Sequence, residues 1–511
     1  MKKLPIYILL LLLPAVCLIS CYKDLGNYKY HDINEVTIGA IDTVNGYSVT
    51  LGDTLSISPV VTGSQDKDGT HKYGYQWSFF NSINGDQIIS TDKNLMYRVS
   101  LVPGSYTLQY KVTDSTTGVL FHTRATVLVR TDVYEGYLVL SDVGGNSRLD
   151  MLSYDVVANK FTQYTDVLKK MGSSLPPQGQ PYKVVCTRTT TAFNYSDSTY
   201  GIYLLTASGT NRINSETFDW RPTYNIRYEM TGNLPQDFKA DNLIADPAFY
   251  FITSFMVSDN NLYLRSTGVP LYNYLPLNKY VGQAPFRVSP YVVGNGSAGP
   301  TTMYNMDNRS FAILATTNST SATDVPDSAK PGDIRYPTGG DLLYMDKSTS
   351  GDIYAITKTP NTSTCYLTKF LPDSLPTYSQ QILGTDIDKA TNFAVSANPE
   401  YLFYSVGGKV YEYDLSLKSS KLMLDKGAMS INYLNFDRFT PVEVQHPDPQ
   451  HNTLYAQWQR WLSVGYYDPS GTEGSNGSLE QYSIVDAHDP LVLQRSWTGF
   501  GKITSISYRE R

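Results

Sequence analysis

The sequence predicts an all-β protein of two folded parts, an amino-terminal immunoglobulin-like β-sandwich followed by a β-propeller of seven blades. Three observations lead there. Residues 34–130 break into short alternating strands separated by turn residues, with no helix signal. From about residue 135 a tyrosine-rich phrase returns at intervals of 43 to 66 residues, near the roughly 40–50 of propeller blades. Composition agrees, because 42 tyrosines against 18 phenylalanines with only 17% charged residues suit strands whose rings are buried and whose hydroxyls reach water.

At the amino terminus, Lys2 and Lys3 precede a run from Leu4 to Ile19 that is apolar apart from two prolines. This is the layout of a secretory signal, and it is shorter than the about 20 residues of a membrane-spanning helix. Leu18, Ile19, Ser20 and Cys21 resemble the bacterial lipobox. That resemblance implies cleavage before Cys21, a diacylglycerol on its sulfur and an acyl chain on the new amino terminus. Several long chains hold a protein to a membrane far more firmly than one. The expected organisation is a signal peptide at 1–20, a lipidated leader at 21–33, the sandwich at 34–131 and the propeller at 132–511.

Within the sandwich, "YGYQWSF" places Tyr75, Trp77 and Phe79 on one face, and a tryptophan in an early strand is typical of sandwich cores. "PGSYTLQYKVTD" follows with a turn at Pro103 and Gly104, then Tyr106, Leu108, Tyr110 and Val112 at period two. This pair of strands resembles the PKD family of immunoglobulin-like domains, although the usual glycine and aspartate after the central strand are missing. The resemblance implies a spacer or docking module.

In the second part, the recurring phrases align Tyr137, Tyr203, Tyr263, Phe311, Tyr354, Phe403 and Tyr455 in one column. Several are followed by a second strand, as in "LDMLSYD", "SETFD", "YLTKF", "KVYEYD" and "LEQYS". A hairpin alone cannot bury both faces, whereas sheets set radially bury them on their neighbours. No repeat carries a Trp-Asp or kelch signature, so the propeller rests on the period. The last strand, "GKITSISYRE", is placed to close the ring on the first or last blade.

Charge and motifs exclude more than they nominate. A net charge of -6 with no basic cluster leaves nothing to neutralise a phosphate backbone, so nucleic acid is not an expected partner. Cys186 and Cys365 stand in no metal-ligand spacing and are expected as buried free thiols. "HPDPQH" gathers His446, Asp448 and His451, but Pro447 and Pro449 argue against the helix that would align the histidines, leaving a surface turn. "DKDG" at 66–69 starts like a calcium loop without the later acidic ligands and reads as a hairpin tip. Asp142, Asn146 and Asp150 could hold a structural calcium, or belong to a plain Gly-Gly hairpin. No hydrolase elbow, phosphate loop or dinucleotide fingerprint appears, and no carboxylate pair stands out. The candidate ligand residues are aromatic: Trp220 and Tyr224 after the second repeat, and Trp458, Trp461, Tyr466 and Tyr467 in the seventh. They form either a ligand platform bordering one mouth of the ring or packing beneath long loops.

Taken together, the lipobox, the tyrosine-rich leader, the PKD-like strands and the propeller-like region resemble the PKD-like family lipoproteins of Bacteroidota. That resemblance implies a lipid-anchored outer-membrane protein at the cell surface, beside a TonB-dependent transporter and its lid lipoprotein, in nutrient uptake. The expected function is non-enzymatic capture of a glycan, peptide or protein ligand. A propeller hydrolase or lyase acting on polysaccharide, and a structural adhesin, are the alternatives.

Overall fold

The computed structural model describes residues 33–511 apart from 81–84, 157, 189–199, 245–253, 266–270, 295–298, 349, 397–400, 440–448 and 487. The signal segment, Cys21, His446 and Asp448 therefore lie outside the described residues. Almost every described element is a strand, as the sequence predicts. No described helix is long and apolar enough to cross a membrane. The chain divides into two compact units, one of residues 33–101 and 105–129, the other holding 130–511.

In the first unit a five-stranded sheet packs against two strand pairs. Its order is 47–50, 120–130, 104–114, 73–79 and 87–90, and the pairs join 36–39 to 60–63 and 54–57 to 95–98. Alternation puts Trp77 and Phe79, and across from them Leu108, Tyr110 and Val112, into one core with Leu55, Ile57 and Leu95. Trp77 stacks on Tyr110 at 4.1 Å and donates its indole N–H to the carbonyl of Asp92 at 3.1 Å, so the burial leaves no orphan donor. Tyr75 and Tyr106 share that side but stay half-buried. Asp114 is fully buried, takes the side-chain amide of Asn34 at 2.8 Å and the backbone N–H of Thr116, and is held below the usual carboxylate range by those bonds. "DKDG" lies in the turn between 60–63 and 73–79, strands of different sheets, so it is a connection and not a hairpin tip.

Seven antiparallel sheets follow among the described residues of the second unit. Numbered along the chain, sheet 1 joins 160–164, 146–155, 136–143 and the carboxy-terminal strand 502–509. Sheet 2 holds 181–188, 200–206 and 209–213; sheet 3 holds 242–244, 254–258 and 261–265. Sheet 4 holds 288–294, 301–305, 310–314 and 323–324; sheet 5 holds 341–347, 353–358, 365–370 and 378–381. Sheet 6 holds 392–395, 402–406, 409–414 and 419–425; sheet 7 holds 430–436, 461–467, 477–483 and 492–500. Apolar side chains from adjacent sheets merge into shared cores, as where Tyr354 and Leu367 of sheet 5 meet Phe393, Leu402 and Tyr404 of sheet 6. This is the radial arrangement of a propeller.

Closure is explicit. Strand 502–509 pairs with 136–143, Gly136 opposite Arg509 and Asp142 opposite Lys502, so the last segment of the unit completes its first sheet. Ile503, Ile506 and Tyr508 are buried there. Gly136 has φ 134°, and a Cβ on it would come within 2.0 Å of the carbonyl of Leu152, so this strand start admits only glycine.

Three readings of the repeats are corrected. Tyr137, Tyr203, Tyr354 and Phe403 lie on the second strand from the centre, but Tyr263 and Phe311 lie on the third. Both strands are buried or half-buried on their two faces, so the same apolar run suits either. "TLYAQWQ" is not a strand: Pro449–Trp458 forms a helix, and sheet 7 supplies its second strand at 461–467. Pro449 is the first helical residue, where its missing N–H costs nothing, so proline opens this helix instead of forbidding it. "SETFD" is a turn, closed by the amide of Phe218 on the carbonyl of Asn214 with Phe218 at φ 59°.

Candidate functional site

The first strands of the sheets surround the axis of the ring, and a cavity of about 360 Å³ opens among them. Six sheets contribute: Lys183 and Cys186 from sheet 2, Asn242 from sheet 3, Tyr291 from sheet 4, Tyr344, Asp346 and Lys347 from sheet 5, Asn435, Asp437 and Arg438 around the end of the first strand of sheet 7, and Ser507, Tyr508 and Glu510 from the closing strand of sheet 1. Distant parts of the sequence thus meet here because each sheet begins at the axis. The lining is polar with tyrosine faces, a chemistry suited to holding a small hydrogen-bonding ligand.

Its electrostatics are ordered. Arg438 donates to Asp346 at 2.6 Å, and Tyr344 donates to the other oxygen of Asp346 at 3.2 Å. Lys347 donates to the carbonyl of Gly294 at 3.0 Å. Lys183 donates to the side-chain oxygen of Asn242 at 2.7 Å and to the carbonyl of Leu243 at 3.2 Å, and desolvation lowers its pKa to about 8. Burial pushes Asp437 up to about 7, against the hydroxyls of Tyr137 and Ser463 that favour its charge. Burial likewise pushes the thiol of Cys186 up to about 11, which makes it an inert thiol at neutral pH. Cys186 and Cys365 are both free; Cys365 is buried and Cys186 is half-exposed.

The aromatic platform read from the sequence does not form. Trp458 is fully buried and Trp461 keeps 7% of its exposure; both rings pack on the guanidinium of Arg495, at 4.3 and 4.6 Å. Trp458 also meets Tyr154 edge-on at 5.0 Å. Tyr224 is buried between the guanidinium groups of Arg212 and Arg221. Trp220, Tyr466 and Tyr467 are half-buried, with the indole of Trp220 bonded to Asn211 and the hydroxyl of Tyr466 to Glu480.

Nor do these segments share a mouth. Gly474 of the seventh repeat rests by the 143–146 turn, where its carbonyl accepts from Arg148. Ser215, in the turn leading to Trp220, accepts from Arg509 at the opposite end of sheet 1. Strands alternate in direction, so the loop after a second strand and the loop after a third emerge on opposite faces.

Among the described residues no group of His, Cys, Asp and Glu is placed to hold a metal ion. Asp150 is fully buried and paired to Arg148 at 2.7 Å, and Asp142 accepts the amide of Gly145 at 2.8 Å, so the Gly-Gly hairpin accounts for both. His451 faces inward from the helix and meets Glu135 at 2.8 Å, away from any surface turn. Sequence reasoning missed the channel residues, whose short strands carry no shared motif; only their position at the start of each repeat could have marked them.

No curated protein matches the chain. Among solved structures it is similar to a quinoprotein alcohol dehydrogenase-like protein from Bacteroides thetaiotaomicron, at 12% identity and a TM-score of 0.45 over 91% of this chain and 96% of that one. It is also similar to the extracellular domain of a one-component system from the same species, at 10% identity and a TM-score of 0.40 over 94% and 68%. A third is YCF48 from Cyanidioschyzon merolae, at 11% identity and a TM-score of 0.37 over 64% and 95%. The model of the PKD-like family matches residues 21–178, which span the sandwich and the first three strands of sheet 1 in chain order, so this part of the chain is a PKD-like region.

Proposed function

We propose that the protein is a lipid-anchored surface protein of the outer membrane that captures a small polar ligand, glycan or peptide, in the axial channel of its propeller, as an accessory to nutrient uptake. The carrying observation is the channel itself: about 360 Å³, built from six sheets and lined by tyrosines, amides and charges already oriented by hydrogen bonds. A cavity at the lower end of the ligand-site range fits one or two sugar rings or a short peptide. The lipobox supports the anchor, and the PKD-like region serves as a spacer. Association with a TonB-dependent transporter and its lid lipoprotein is part of the same proposal. The test is a glycan array and a peptide library on the mature chain, with Tyr291→Ala and Asn435→Ala as channel variants. Binding lost in both at unchanged melting temperature is the expected result; binding that ignores both channel variants would remove the channel from the proposal.

A second reading, a hydrolase or lyase acting on polysaccharide, has one observation in its favour. Asp437, in the lining, has a pKa of about 7 and so could serve as a general acid. Turnover of polysaccharide that disappears in Asp437→Asn would establish it.

A further inference from the structure

We propose that Lys183 makes the axial channel a receptor for ligands bearing a carboxylate, which takes the place of an ion-pair partner that none of the described residues supplies. The inference rests on the channel being the binding site and adds the chemical class of its ligand.

Lys183 is enclosed enough to be desolvated yet keeps partial exposure, because it faces the cavity. Its ammonium donates to two neutral oxygens, of Asn242 and Leu243, and among the described residues no carboxylate lies within ion-pair distance of it. A lysine ammonium has three donors, so one remains for a ligand. Asp346 is near enough to act on Lys183, but it is already engaged by Arg438 and Tyr344, and Arg438 itself opposes the charge of Lys183. A buried cation without a partner is costly, and the cost is relieved when an anion arrives. Carboxylate, with two acceptor oxygens, matches the remaining donor and the second N–H of Asn242, whose first N–H is held by the carbonyl of Pro290 at 2.8 Å. Tyr291 and Tyr344, edge to face at 5.7 Å, offer ring faces to the body of the ligand.

A specific proton linkage follows. With its pKa at about 8 in the empty channel, Lys183 is largely neutral at pH 9, and a bound carboxylate must bring a proton with it. The sign is fixed: affinity is highest where Lys183 is charged and is lost as pH rises through about 8, while the probe's own carboxylate stays ionised. The groups named next hold a fixed charge at pH 9, where the uptake is read. Asp437 has lost its proton by then, Cys186 holds its own to about 11, Arg438 stays charged, and Tyr344 and Tyr508 are held well above the ordinary tyrosine value. Glu510 and Lys347 complete the charged lining and are common to every variant tested.

The experiment is calorimetry on the mature chain with digalacturonate and its neutral counterpart digalactose, and with N-acetyl-trialanine and its carboxy-terminal amide. Expected is preference of about tenfold or more for a carboxylate over its neutral partner, proton uptake at pH 9 read from buffers of different ionisation enthalpy, and loss of the preference in Lys183→Met. Lys183→Arg should keep the preference and abolish the proton uptake, since arginine stays charged. The sugar and peptide arms separate the two sources of the carboxylate. Equal binding of charged and neutral probes, or a preference untouched by Lys183→Met, overturns the inference while leaving the channel as the binding site. Absence of carboxylate binding also overturns it, whereas the channel itself falls if the array is silent or if binding ignores both channel variants.

Discussion

Trp458 is read from the sequence as a recognition residue and is found with no exposure, between Tyr154, Phe161 and the guanidinium of Arg495. Replacing it with alanine opens a cavity the neighbours cannot refill, and about 3–5 kcal/mol of stability should be lost. Chemical denaturation measures this directly; a loss under 1 kcal/mol would return the ring to the surface. Trp461→Ala should follow the same direction, unlike a surface ring, which changes stability by about 0.5 kcal/mol or less. Asp437 allows a signed prediction. Its folded pKa of about 7 lies above the ordinary 3.8, so the native state binds its proton more tightly than the unfolded chain does. It therefore costs nothing below pH 4, costs progressively more between pH 4 and 7, and costs a constant amount above that, about 4 kcal/mol as an upper bound. Asp437→Asn should stabilise the fold at pH 8, leave it unchanged at pH 3.5, and flatten the pH dependence between. A variant less stable than the parent at pH 8 would show that the charge is better compensated than the burial implies.

At the scale of elements, the helix 449–458 explains how far the sequence could be read. His451, Tyr455 and Trp458 are its buried positions, at the spacing of one helical face, but in "TLYAQWQ" the aromatic column of the other repeats overrides that signal. Strands were legible because alternation in "YGYQWSF" and the apolar runs of the repeats record burial directly. Their rank within a sheet was not legible, since the second and third strands meet the same surroundings. The channel was illegible for a related reason: Lys183, Asn242 and Arg438 come together only through the ring. The helix is held by one buried carboxylate, Glu135, which accepts from Tyr455 at 2.7 Å, from Tyr508 at 2.7 Å, and sits 2.8 Å from a ring nitrogen of His451. It joins the helix, the closing strand and the start of sheet 1. Glu135→Ala strands buried donors and should destabilise the second unit by about 3 kcal/mol or more. Hydrogen exchange should then show lost protection first in 449–458 and 502–509, whereas uniform loss across all sheets would contradict a local clasp.

At the scale of the molecule, the consequence is that the ring depends on its last strand while the sandwich does not. The sandwich core draws only on residues up to Val129, whereas Ile503, Ile506 and Tyr508 fill the core that sheet 1 shares with sheet 7. Two calorimetric transitions are expected, since each unit encloses its own apolar core. Removing residues 502–511 takes away the strand paired to 136–143, bares a row of backbone donors and acceptors on an inner strand, and opens the ring between its first and last sheets. The truncated chain should lose the transition of the second unit and bind a hydrophobic dye. It should retain a transition of about 60–80 kcal/mol, the enthalpy of a domain of some hundred residues. A truncation that keeps both transitions at their original temperatures would mean that the ring holds without its closing strand. The same variant should also lose carboxylate binding, because Ser507, Tyr508 and Glu510 belong to the channel wall. Stability of the ring and occupancy of its axis are thus carried by one strand, and a ligand that spans the axis should raise the temperature of the second transition alone.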